Sequence, residues 1–241
     1  LEEFMKEKYR FSDIPLKNIN QEFVKEFEHF IKTEKDCAQN ATVKYLKNLK
    51  KIIRNALVNK WMDDDPFVEI RFHQTASNRE FLTEEELNKL IEKEFTIPRM
   101  EVVRDIFVFC SLTGLAFTDV QHLKPEHIFR DMDGSYWIRK TREKTDNMCN
   151  IPLLDLPVKL IQKYQNHPEC VRKGVVIPVP CNQRCNSYLK EIADVCGIQK
   201  TLSTHIARHT FACLAIANKV SMESIAKMLG HTDIRTTKIY A

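Results

Sequence analysis

The sequence predicts a mainly α protein of two domains, with one small antiparallel sheet in the second. Three observations carry that expectation. Apolar residues recur at helical spacing in two stretches before residue 60. An acidic, proline-containing stretch, WMDDDPFVEIRFHQTASNRE, then breaks the period, and helical patterns resume beyond it. A single region, HIFRDMDGSYWIRKTREKTDNMCNIPL, alternates as strands do around a turn signal. The expected layout is a helical domain at 1–72, a linker at 73–82 and an α+β domain at 83–241.

In the first domain, NQEFVKEFEHFIK places Phe23, Phe27, Phe30 and Ile31 on one helical face. NATVKYLKNLKKIIRNALVNKW does the same with Val43, Leu46, Ile53 and Leu57, and Asn40 is the expected N-cap. Two helices with a few turns around them make a small bundle. Beyond the linker, Thr83 and Glu86 in LTEEEL form a capping box that starts a new helix. RMEVVRDIFVFCSLTG reads as a buried helix stopped by Gly114. Asp133-Gly134 is a hairpin turn, followed by a strand through Tyr136 and Ile138 and a third near Ile151. Helices resume near Leu156, Asn182, Thr204 and Ser221, the last closed by Gly230.

Composition narrows the function classes. The chain is 43% hydrophobic and 29% charged, and no apolar run approaches the roughly 18 residues a membrane span needs. The charged opening LEEFMKEKYR is no signal peptide, and a chain opening on Leu1 is expected to begin inside a longer protein. Eight cysteines are scattered, with Cys110, Cys196 and Cys213 in apolar helical patterns. The close pair Cys181 and Cys185 has no second pair at zinc-finger spacing. Reduced thiols without a secretion signal place the protein in the cytoplasm.

A net charge of +4 does not by itself mark a nucleic-acid partner, so the placement of charge decides. Residues 42–60 hold six Lys/Arg and no Asp/Glu. Lys44, Lys47, Lys51 and Arg54 recur at helical spacing on a face away from the apolar one, with Tyr45, Asn48 and Asn55 nearby. A solvated helix face is the plain alternative, but such a face usually interleaves acids.

In STHIARHTFACLAIA, Ser203 or Thr204 can cap a helix whose first turns carry His205 and Arg208 on one face. The residues from Phe211 to Ala217 are almost wholly apolar and are expected to be buried. A histidine and an arginine at the positive end of a buried helix suit an anion, or else an arginine–carboxylate brace beside a surface histidine. His231 follows Gly230 at a helix end, and Tyr240 comes nine residues later, after Asp233 as the cap of a last short helix.

HIARHTFA and LGHTDIRTTKIY resemble the catalytic domain of tyrosine recombinases, the phage-integrase family, over roughly 82–241. That family carries H-x-x-R at the head of a buried helix, then L-G-H, then Thr-Thr-x-x-Tyr ending in the nucleophile. The helical first part fits the core-DNA-binding domain that precedes it. Two more elements follow from the resemblance. The family's hairpin lysine falls on Lys144 in TREKTD, and its T-G-x-R segment on TGLAFTDV, where Thr113, Gly114 and Asp119 fit. Ala116 stands where the first catalytic arginine belongs. Arg142, two positions before Lys144, would share its side of a strand and replace the missing guanidinium. Arg139 and Lys140 are weaker candidates. The Bacteroides-type mobile-element branch of the family resembles this arrangement.

The resemblance implies a site-specific recombinase, an integrase of a mobile element, that cleaves and rejoins double-stranded DNA through a 3′-phosphotyrosine. Tyr240 would attack, Arg208 and Arg142 would clamp the phosphate, His205 and His231 would donate hydrogen bonds or take the phenolic proton, and Lys144 would protonate the leaving 5′-oxygen. Lys44, Lys47, Lys51, Arg54, Tyr45 and Asn48 would contact DNA. No metal or other cofactor is implied. It also implies a homotetramer on paired sites, a monomer without DNA, a nucleoid-associated bacterial protein, an arm-site domain before Leu1 and a tail beyond the tyrosine. The alternative, resting on Ala116, is a DNA-binding protein of recombinase ancestry that does not cleave.

Overall fold

The computed structural model describes residues 1–75 and 80–240. The chain divides into two compact units, Leu1–Asn78 and Arg79–Ala241.

Among its described residues the first unit has three α-helices, α1 (Glu2–Tyr9), α2 (Gln21–Thr33) and α3 (Gln39–Val58). Helix α1 is absent from the sequence reading because its apolar content is two adjacent residues in a charged octet, too short for a period. Those two, Phe4 and Met5, are buried, and the Phe4 ring lies 5.2–5.3 Å from the rings of Phe23, Phe27 and Phe30. That aromatic cluster converts the expected pair of helices into a three-helix core. Asn20 caps α2 by accepting from the Phe23 amide. Helix α3 starts two residues earlier than expected, with Ala38 rather than Asn40 as its N-cap. Asn40, inside the helix, instead exchanges two hydrogen bonds with Thr75, and Gln39 donates to the His73 carbonyl. The start of the expected linker is thereby pinned to α3. Its residues 76–79 lie outside the described residues.

Among its described residues the second unit packs seven α-helices and one sheet around the strongly apolar α5 (Pro98–Thr113): α4 (Glu84–Glu92), α6 (Phe117–Gln121), α7 (Asp155–Tyr164), α8 (Pro168–Lys173), α9 (Asn182–Val195), α10 (Thr204–Ala217) and α11 (Met222–Leu229). The capping box of Thr83 and Glu86 opens α4, and Leu82 just before it is buried, its amide donating to Thr210 Oγ1. Helix α8 is a six-residue element that the sequence reading omitted, below the length at which periodicity is visible. The sheet runs β1 (Ile128–Arg130), β2 (Tyr136–Thr141) and β3 (Met148–Pro152), antiparallel in that order. Ile138 pairs with Ile151 and Lys140 with Cys149, so the inward face of β2 carries Ile138 and then Lys140, all four residues buried.

A polar knot braces α5 from the far side. Buried Asp105 accepts from Arg104 Nε at 2.6 Å, Lys163 Nζ at 2.7 Å and the Tyr164 hydroxyl at 2.7 Å. Arg104 also donates to the carbonyls of Leu90, Ile91 and Lys93, satisfying the open end of α4. Both oxygens of the buried carboxylate are thus hydrogen-bonded and its charge is paired, which is what makes its burial tolerable. No helix among the described residues is long and apolar enough to cross a membrane.

Candidate active site

Arg208 is the centre of the site. It sits in the second turn of α10, whose N-cap is Ser203, the side chain accepting from the Ile206 amide. The side chain is buried, and its two terminal nitrogens donate to the carbonyls of Gly114 and Leu229, both at 2.5 Å. Those carbonyls end α5 and α11, where helices leave acceptors unpaired and carry partial negative charge. Two helix ends therefore hold one guanidinium. Gly114 caps α5 at φ 69°, and a Cβ there would lie 2.4 Å from the Phe211 ring, so only glycine brings that carbonyl to the arginine. Burial and the charge of Arg142 both lower the Arg208 pKa, while Tyr240, Cys149 and Asp119 oppose them. An arginine so placed stays charged.

His231 follows the Gly230 cap of α11. Its Nε2 lies 3.3 Å from an Arg208 terminal nitrogen and its Nδ1 2.8 Å from the hydroxyl of fully buried Thr237. A guanidinium only donates, so Nε2 is the unprotonated nitrogen and Nδ1–H donates to Thr237. Burial, reinforced by the charges of Arg208 and Arg142, lowers the pKa of His231 to about 4. A depressed histidine pKa leaves the ring neutral above it, and the native state loses stability only as pH falls from about 6.5 towards 4. In the free protein the His231 ring-proton resonances are accordingly expected to stay put between pH 8 and 5.5. A mid-point near 6.5 in an NMR titration would show that the two cations do not face it.

Arg142 reaches this cluster from the sheet. β2 ends at Thr141, so Arg142 lies in the β2–β3 turn, its amide donating to Asn147 O and its carbonyl accepting from the Asp146 amide. The expectation that it shares a strand side with Lys144 is therefore corrected. The parity that matters is with Ile138 and Lys140, which it continues inwards, while the chain reverses before Lys144. Arg142 is mostly buried, and its Nε lies 3.6 Å from Asp119 Oδ2, too far for a hydrogen bond. Among the described residues, none of its guanidinium N–H groups has a hydrogen-bond acceptor. A buried Nε–H left open in this way is costly unless a ligand completes it.

Asp119 fixes the turn from beneath. Its Oδ1 accepts from the Glu143 amide at 2.9 Å, and Glu143 in turn takes Lys140 Nζ at 2.7 Å. Asn147 donates to Gly230 O at 3.0 Å, tying the turn to the α11 cap. Of the weaker candidates, Lys140 is thus occupied within the hairpin, and Arg139 lies over the Phe129 ring at 4.7 Å. Lys144 is exposed at the turn.

Tyr240 closes the site from the same chain. The expected last helix is two 3-10 turns, Ile234–Thr236, capped by Asp233, and Lys238–Tyr240. The Tyr240 ring stands parallel to His231, 7° apart in plane with centroids at 6.4 Å, and edge-on to His209 at 5.0 Å. His209 meets His205 at 4.4 Å, so the exposed His205 is joined to the tyrosine through a buried ring. The sequence reading missed His209, Thr237 as the partner of His231, and Asn147. A threonine beside the tyrosine was visible as part of a motif, whereas the other two have no local signal and depend on tertiary contact. Lys44, Lys47, Lys51, Arg54, Tyr45 and Asn48 all lie exposed on α3 in the first unit.

Comparison with known proteins identifies the family of both units. The family model described as the phage integrase family matches residues 80–241, and that of a phage integrase SAM-like domain matches residues 1–74. A tyrosine recombinase of Pseudothermotoga lettingae is 23% identical over 239 residues, covering 95% of this chain and 80% of that protein. Tyrosine recombinase XerD of Listeria monocytogenes is 26% identical, covering 89% and 75%. Among solved structures, the fold is shared with a lambda integrase dimer bound to a COC′ core site, at TM-score 0.75, 17% identity and 99% and 85% coverage. It is shared also with the XerH recombinase bound to a difH substrate, at TM-score 0.71, 18% identity and 100% and 72% coverage. With a family model spanning both the arginine and the terminal tyrosine, the chain belongs to the phage integrase family.

Proposed function

We infer that the chain is a site-specific tyrosine recombinase that cleaves and rejoins double-stranded DNA through a covalent 3′-phosphotyrosine. The observation that carries the reading is the Tyr240 ring standing beside His231 and within the field of Arg208 in one subunit. A phenol is a poor nucleophile near neutrality, so the site must stabilise the charge that develops on phosphorus. Arg208, held rigid by two helix-end carbonyls, and Arg142, with donors open, supply that charge to the nonbridging oxygens. His231 is neutral, and its unprotonated Nε2, which faces Arg208 in the free protein, is the basic atom that can take the phenolic proton. His205, at the mouth of α10, donates to the phosphate. Lys144 protonates the 5′-oxygen as the P–O5′ bond breaks and the Tyr240 O–P bond forms. The energy of the phosphodiester is kept in the new bond, so rejoining to another 5′-hydroxyl reverses these steps.

The exposed cations of α3 bind the DNA backbone, and a homotetramer on paired sites performs the exchange in the bacterial cytoplasm. The non-cleaving reading is not favoured, since the named relatives are recombinases and the Arg142 guanidinium can serve in place of one at Ala116. On a nicked duplex that loses its 5′-fragment after cleavage, the chain is expected to accumulate a denaturation-resistant protein–DNA adduct. Tyr240→Phe, which keeps the ring and removes only the hydroxyl, is expected to abolish it. An adduct of undiminished yield in that variant would assign the nucleophile elsewhere.

A further inference from the structure

The segment from His231 to Tyr240 does more than deliver the tyrosine. It folds back as two 3-10 turns, and Thr237 is the residue between them. Thr237 is fully buried although both its neighbours in the chain are exposed. Its amide donates to the Ile234 carbonyl at 2.9 Å, and its carbonyl accepts from the Tyr240 amide at 3.1 Å. Its hydroxyl oxygen stands 2.8 Å from His231 Nδ1. One residue therefore holds both the turn that carries the nucleophile and the ring that takes its proton.

Two contacts fix that ring, and they are unequal. The Arg208 nitrogen stands 3.3 Å from Nε2, at the long limit of hydrogen bonding, whereas the Thr237 contact is short. Both select the tautomer with its proton on Nδ1, but Thr237 is what gives that proton an acceptor. A buried N–H without an acceptor is unfavourable, and the partner of one ring nitrogen decides which nitrogen is basic. Without the hydroxyl, only the longer Arg208 contact keeps Nε2 bare, and an Nε2–H cannot accept from a phenol. Thr237 is in turn held by the whole segment. Asp233 accepts from the Arg235 amide and Nε, both at 2.8 Å. At the far end the Tyr240 ring meets His209 edge-on, and the Cys213 thiol faces the Tyr240 carbonyl at 3.8 Å.

We propose that Thr237 is a positioning residue that makes the proton acceptor depend on the docked nucleophile: His231 presents a bare Nε2 only in a subunit whose own Tyr240 segment is seated. The inference rests on the recombinase reading for the reaction and adds a coupling between its two reacting groups. The proton leaves the Tyr240 hydroxyl for Nε2, giving an imidazolium whose Nδ1–H stays on Thr237. A subunit whose segment lifts away loses its nucleophile and its base together, so it does not activate water at the same phosphate.

The test combines nitrogen NMR spectra of the histidine side chains in the full chain with single-turnover adduct formation on the nicked duplex. The His231 signals are identified by their loss in His231→Gln. The wild type is expected to carry the His231 proton on Nδ1. Thr237→Val keeps the shape and removes the hydroxyl. It is expected to populate the Nε2–H form and to slow the adduct by about 10- to 100-fold, within the worth of a general base, with noncovalent DNA binding unchanged. Thr237→Ser brings the hydroxyl back and is expected to restore the spectrum and most of the rate. Lys238→Pro tests the coupling without touching either reacting group. Thr237 sits at φ −83° and ψ −32°, and a following proline disfavours that helical region. Lys238 is exposed, so this change displaces the turn and spares the core, and it carries the same readout if Thr237→Val does not fold. Its His231 spectrum is expected to resemble that of Thr237→Val. An unchanged His231 spectrum in Thr237→Val or in Lys238→Pro overturns the proposal. So does a wild-type proton on Nε2, or a Thr237→Ser rate as low as that of Thr237→Val. A wild type with the expected spectrum that forms no adduct sinks the recombinase reading and leaves the tether between Thr237 and His231 standing.

Discussion

Replacing Arg142 by alanine is expected to slow adduct formation on the nicked duplex by about 10²–10³-fold, the usual loss for one donor aimed at a developing oxyanion. The expectation follows from three facts that are independent of each other. The family position for a helix-borne arginine is Ala116 in this chain. The Arg142 guanidinium is nearly buried, faces Asp119 only at 3.6 Å and has its donors open among the described residues. Its charge depresses both Arg208 and His231, which places it in the same cationic cluster. Noncovalent binding, dominated by the many backbone contacts elsewhere, is expected to weaken only slightly. Arg142→Lys keeps the charge without the planar fork and is expected to recover part of the rate. The decisive arm is the double change Ala116→Arg with Arg142→Ala, which moves the guanidinium to the family's helix. Recovery there, with no gain when Ala116→Arg is made alone, shows that one role has two possible addresses. Single-turnover cleavage by Arg142→Ala at the wild-type rate removes Arg142 from the site.

The parts of this site that were legible in the sequence are those written in short windows. Ser203, His205 and Arg208 sit within two helical turns, and Gly230, His231 and Tyr240 within eleven residues, so spacing alone predicts shared faces and caps. Asp133-Gly134 and the alternation through Ile138 likewise fix the hairpin locally. What failed was inference across a strand end. Arg142 was assigned its side by reference to Lys144, yet the ladder stops at Thr141 and the chain turns between them. Arg142 was reached on a premise that the end of the strand does not support. The hidden elements share one physical cause. Helix α1 hides because a single burial of Phe4 and Met5 does the work of a stripe, and α8 because six residues hold less than two turns. Thr237 under His231 and Asn147 on Gly230 are tertiary facts, made by segments 6 and 83 residues apart, with no pattern to announce the longer one.

Gly230→Ala tests how Arg208 and Arg142 are brought together, and its effect is expected to be large on both stability and rate. Gly230 caps α11 at φ 62°, a conformation that costs an L-residue about 1–2 kcal/mol. A Cβ there would also stand 2.5 Å from Arg142 Cδ and 2.7 Å from Cys149 Sγ. The thiol belongs to a buried strand residue paired with Lys140 and has little room to yield. Backbone strain and overpacking together are expected to cost about 2–4 kcal/mol, measured as a lowered denaturation midpoint with unchanged slope. The arginine, being the longer and more mobile neighbour, is the group that moves. Its displacement withdraws one cation from the site and strains the Asn147 bond to the Gly230 carbonyl. The rate loss is therefore expected to exceed what the unfolded fraction explains when both proteins are assayed well below their melting temperatures. Adding Cys149→Ala relieves one of the two overlaps and leaves the other. That pair is expected to recover stability while cleavage stays slow, because the overlap with Arg142 remains. If stability and rate instead return together, the glycine serves the helix cap alone and the path of Arg142 does not depend on it.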